Sequence, residues 1–194
     1  MIPYIIIALS IIVWFLPLFR QKRTEFFLFF LILASSDPLI IIFHQLNLFH
    51  GQQLIVIFEL LAFYALIKRT ILNKIAILIL SLIIVFAFEN MTSALVHSLS
   101  AVIQTLILIT IIYKFMLFIN NRRVLSLFYI ILICYQTSVI FKMVAVVIDV
   151  KFGIVQFYLT SFLQIFFGVL FTFINLETKN FRILKEMDAD YNQE

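Results

Sequence analysis

Long apolar runs, cut at intervals by clusters of charge, make up most of the chain. Such runs reach the roughly 20 residues that a helix rising about 1.5 Å per residue needs to cross a hydrocarbon core of about 30 Å. The pattern predicts seven spans, at about 2–19, 25–48, 52–67, 71–88, 91–119, 124–148 and 154–176. Arg20-Gln21-Lys22-Arg23 closes the first, Lys68-Arg69 the third and Asn120-Asn121-Arg122-Arg123 the fifth. The third is short unless Gln52 and Gln53 join it. The fifth is long enough to tilt or protrude. The expected fold class is all-α, a polytopic transmembrane bundle over residues 1–178, followed by a short cytoplasmic tail at 179–194.

Strands of an outer-membrane barrel would alternate apolar and polar residues over about ten positions. Here the runs are continuous, as in Ile5-Ile6-Ile7 and Phe26-Phe27-Leu28-Phe29-Phe30, and helices are the fitting element. Composition sharpens this. Apolar residues make up 64% of the 194, charged ones 12%, and Phe alone contributes 24. A water-soluble domain has no interior large enough to hide that surface. The single Cys134 excludes an intramolecular disulfide and a multi-cysteine zinc site; inside the sixth span it reads as a small apolar filler.

Charge sets the orientation. Arg20, Lys22 and Arg23, then Lys68, Arg69 and Lys74, then Lys114, Arg122 and Arg123, then Lys179, Arg182 and Lys185 hold all but two of the 14 basic residues. These groups fall at every second boundary. The positive-inside rule therefore puts the N-terminus outside and the C-terminus in the cytoplasm. The net +4 reports topology and contact with anionic lipid headgroups, not nucleic acid. The first span lacks a basic leading region and a small-residue cleavage site, so it reads as a retained anchor rather than a signal peptide. The expected location is the bacterial cytoplasmic (inner) membrane, with an organellar membrane as the alternative.

Ionisable residues within spans are costly, about 2.5–3.5 kcal/mol at mid-bilayer on insertion scales, so each is a site candidate. Asp37 lies halfway along the second span. Gln104, Gln136 and Gln164 fall at similar depth on the fifth, sixth and seventh, which predicts a polar layer across the bundle. Glu59 is expected nearer the outer end of the third span, with Lys142 at matching depth on the sixth. Lys142 has three readings: a pair with Glu59, a pair with Asp37, or snorkelling to the headgroups. Pro38 follows Asp37 and leaves the carbonyl of Ala34 without a helical donor, which predicts a kink; Ser35 and Ser36 are placed to satisfy freed backbone groups. The functional reading of Asp37 is a protonatable or cation-binding group. The structural reading is an interhelical hydrogen-bond clamp.

His44 and His97 approach a common outer depth, and two axial histidines on separate helices are the pattern of a b-type haem. With Glu89 or Asp149 they instead suggest a divalent metal; as plain packing residues they need no cofactor, and none is the first expectation. In the tail, Phe181, Leu184 and Met187 recur every three residues, which leaves two readings: an amphipathic extension of the seventh helix able to contact headgroups or a cytoplasmic partner at 177–194, or a solvated frayed end.

No H-E-x-x-H, G-x-S-x-G, P-loop or dinucleotide motif is present, and the seventh span has no lysine for a retinal Schiff base. The leading expectation is thus a non-enzymatic membrane subunit, scaffold or signal-input module working through other membrane proteins or a second copy of itself. The alternative is a proton- or ion-coupled small-solute transporter or channel using Asp37, Glu59 and Lys142. A haem- or quinone-binding redox subunit is the third.

Overall fold

A computed structural model describes residues 2–46, 51–67, 79, 93–147, 153–174, 176 and 180–182. The described chain is all-α, with helices α1 (Ile2–Gln21), α2 (Phe27–Gln45), α3 (Gly51–Leu66), α4 (Ser93–Arg122), α5 (Leu127–Val147) and α6 (Gly153–Phe173). Leu95–Arg122 and Leu127–Ala145 are long and apolar enough to cross a membrane, and shorter apolar helical stretches occur at Ala8–Gln21, Phe27–Phe43, Leu54–Leu66 and Leu159–Phe173. The fourth expected span, 71–88, lies outside the described residues apart from Ile79.

The helices form a closed ring. Each of α1 to α6 packs on its neighbour in sequence, and α6 returns to pack on α1. Directions follow from the contacts. Trp14 and Gln21 of α1 meet Gly168 and Phe171 of α6 in ascending order, so these two run parallel. In α3 and α4, Glu59 meets Ser100 and Gln104, while Ala65 and Leu66 share a concavity with Thr110, Tyr113 and Lys114. These two are parallel as well.

The α1–α6 contact is close because position 168 lacks a side chain: a Cβ on Gly168 would lie 2.7 Å from Cγ1 of Val13. Gln21 is fully buried and ends this seam. Its Nε2 donates to the carbonyls of Ile174 (3.0 Å) and Phe171 (3.4 Å), acceptors left open where α6 terminates.

Several expectations need correction. The sixth span does not begin as helix at Val124: Val124–Ser126 form a short strand, β1, and the helix starts at Leu127. The tail does not extend α6 as a helix through its first residues. Asn180–Arg182 form β2, antiparallel to β1, with Leu125 opposite Phe181. Strand pairing satisfies backbone groups that neither three-residue segment can satisfy alone. Residues 183–194 lie outside the described residues. Between α4 and β1 the chain turns at Arg123 (φ 51°), whose N–H closes onto the carbonyl of Ile119 at 2.7 Å. Cys134 is exposed on the outer face of α5 rather than filling the core.

Candidate functional site

A cavity of about 180 Å³ lies inside the helix ring. Asp37, Glu59, Gln104, Gln136, Lys142 and Gln164, contributed by α2, α3, α4, α5 and α6, all line it. Its apolar wall includes Trp14, Phe29, Phe58 and Tyr135.

The best-defined part is a directed hydrogen-bond chain. Gln136 Nε2 donates to the side-chain oxygen of Gln104, and also to the Gln104 carbonyl at 3.2 Å. Gln104 Nε2 donates to Glu59 Oε1 at 2.9 Å, and Ser100 Oγ donates to the same oxygen at 2.5 Å. Ser100 and Gln104 are one helical turn apart on α4, so both reach one acceptor. The chain ends on Glu59, whose Oε1 accepts from both Ser100 and Gln104. Glu59 is only 7% exposed, and its second oxygen, Oε2, is buried with no hydrogen-bond partner among the described residues.

This places Glu59 differently from the sequence expectation. Because α3 begins at Gly51, Glu59 sits at mid-helix, level with Gln104 and Gln136, rather than near the outer end. Its partners are Ser100 and Gln104, not Lys142. Lys142 shares the cavity lining with Asp37. Lys142 is half-buried and Asp37 exposed; the described residues form no close ion pair there. Gln164 lines the same cavity from α6.

Helix α2 continues through Pro38 to Gln45. Ser35 and Ser36 donate to the carbonyls of Ile32 (3.2 Å) and Leu33 (2.9 Å), not to that of Ala34, the carbonyl Pro38 leaves open. His97 is half-buried on α4. The side chain of His44, and Glu89 and Asp149 altogether, lie outside the described residues. Among the described residues, no three His, Cys, Asp or Glu side chains are grouped to hold a metal ion.

Ser100 escapes the sequence reading because a serine on an apolar helix carries no signal of its own; its spacing of four from Gln104 is the clue. Trp14 and Tyr135 read as ordinary aromatic bulk. A second, open concavity of about 810 Å³ lies near the ends of α3 and α4, where Lys114 pairs with Glu25 and Tyr129 Oη donates to Glu25 Oε1 at 3.4 Å. No protein family, curated protein or solved structure matches the chain, so the reading of the cavity rests on its own geometry.

Proposed function

We propose that this chain is a non-enzymatic, seven-span membrane protein, N-terminus outside, that holds a small polar solute or ion in its central cavity and couples its passage to the charges on Asp37, Glu59 and Lys142. The cavity carries the proposal: polar side chains from five helices lining one space are the layout of a binding site. A pure scaffold would close such groups onto one another, and Glu59 Oε2 has no partner among the described residues.

Two further observations support the membrane topology. Phe19, Phe141, Phe162 and Phe173 point outward and are 70–83% exposed, an arrangement suited to lipid and adverse in water. The parallel pair α3 and α4 also requires the chain between them to return across the bundle. The apolar segment 71–88 has the length to do so, and on this reading it is the fourth span, in keeping with the odd number that the basic clusters call for. The bacterial cytoplasmic membrane is the proposed location.

Purified protein in sealed vesicles of phosphatidylethanolamine and phosphatidylglycerol, loaded with a pH-sensitive dye and given a potassium diffusion potential, tests this reading. Proton flux above that of empty vesicles is expected, with loss on Asp37→Asn or Glu59→Gln. Flux equal to empty vesicles, or variants as active as the parent, overturns it.

A second reading, a signal-input module acting through a partner, is favoured by the β1–β2 ladder. It holds residues 180–182 against the α4–α5 connection, and both of these helices line the cavity. Absence of flux together with co-purification of a membrane partner that depends on the tail would select it.

A further inference from the structure

We infer that the cavity is a receptor for a small organic ammonium ion carrying an aromatic or aliphatic body, and that Glu59 Oε2 is the atom that receives it. The inference names the solute class for the binding site proposed above and rests on that reading of the cavity.

The first ground is charge. The cavity wall holds two carboxylates and one ammonium, Asp37, Glu59 and Lys142. Lys142 offsets one of these carboxylates in formal charge. Glu59 has no cationic partner among the described residues. Among the described residues one formal negative charge is therefore left over, and a monocation balances it.

The second ground is hydrogen bonding. Oε1 of Glu59 is saturated by Ser100 and Gln104, and its companion Oε2 is buried and unpartnered in a side chain only 7% exposed. A buried carboxylate oxygen without a donor is costly. Protonating Glu59 does not cure this, because the new O–H then lacks an acceptor at the same spot. A donor arriving in the cavity does.

The third ground is the wall. A metal cation such as Ca²⁺ needs six to eight oxygen ligands in its shell. Gln104 turns its NH₂, not its carbonyl, toward Glu59, and its oxygen already accepts from Gln136. The rest of the wall is apolar, aliphatic side chains together with the aromatic Trp14, Phe29, Phe58 and Tyr135, residue types that attract organic cations where a ring face is presented. Size agrees, since a cavity of about 150 Å³ holds benzene, and this one measures about 180 Å³.

Trp14 is the sole tryptophan of the chain and lines the cavity, so its fluorescence reports occupancy directly. The detergent-solubilised full chain is titrated with benzylammonium, and in parallel with the neutral benzyl alcohol and the anionic benzoate. A saturable change in Trp14 emission with benzylammonium alone is expected. Glu59→Gln should weaken it at least tenfold, and Glu59→Asp, which keeps the charge, should retain it within a few-fold. A non-saturating response, or equal responses to all three compounds, overturns the inference and leaves water as the occupant. The three-compound comparison uses the unmodified protein and stands even if Glu59→Gln fails to fold. Binding in detergent requires no bilayer and no flux. Lost flux with an intact titration would remove the transport reading alone; intact flux with a failed titration would remove the ammonium alone.

Discussion

The two halves of the bundle are built on opposite plans. Toward the basic ends of the helices, aromatic rings fill the interior. Phe171 lies at its centre, with ring centroids 4.9 Å from Phe30, 5.8 Å from Phe128, 6.1 Å from Tyr135 and 6.3 Å from Trp14. Phe26, Phe29 and Phe128 are wholly buried beside them. Above this plug the same helices carry Glu59, Gln104, Gln136, Asp37 and Lys142 around an unfilled space. The contrast separates stability from function. In a lipid solvent apolar burial gives little net drive, so tight packing and interhelical hydrogen bonds hold helices together. The aromatic half supplies the packing, and the polar half leaves room.

The comparison breaks most visibly at Phe171. Phe171→Ala removes a ring in contact with four others and should cost about 3 kcal/mol, the lower end of the range for such truncations in cores, read as a shift in the detergent unfolding midpoint. Gln21→Leu, which strips α6 of its terminal donor, should cost about 2 kcal/mol through the carbonyls of Phe171 and Ile174 left unpaired in a buried setting. Gly168→Ala should cost about 1.5 kcal/mol by forcing a Cβ against Val13. Adding Val13→Ala should recover part of that loss, and a thermodynamic cycle over the two positions measures the coupling. The smallest effect belongs to the polar half. Gln104→Leu should lower stability by about 1 kcal/mol or less, as is usual for hydrogen bonds between membrane helices, while disturbing the ligand titration far more than Phe171→Ala does. A Gln104→Leu loss as large as that of Phe171→Ala would show that the polar chain is structural glue, and the division between the halves would fail.

Much of this division is foreshadowed by residue type. The apolar runs predict helices close to those observed, and the six polar candidates are the residues that line the cavity. What the sequence lacks is rotation about each helix axis. An amphipathic helix shows its inner face by its polar stripe, but these helices are apolar on nearly every side, so nothing in the text of α3 says that Glu59 faces Ser100 rather than Lys142. Helix ends are similarly mute. Val124–Ser126 read as the start of an apolar span, and only the arrival of Asn180–Arg182 from distant sequence makes them a strand. Gln21 sits in a cluster of charges that looks like a boundary, and its partners lie some 150 positions away.

The ladder between Val124–Ser126 and Asn180–Arg182 has a mechanical consequence. Together with the bonds from Gln21 of α1 to the end of α6, it stitches one rim of the ring of helices with backbone-directed bonds. Local opening is easiest where few such bonds must break, so this rim is held against opening. The vessel is sewn at its base.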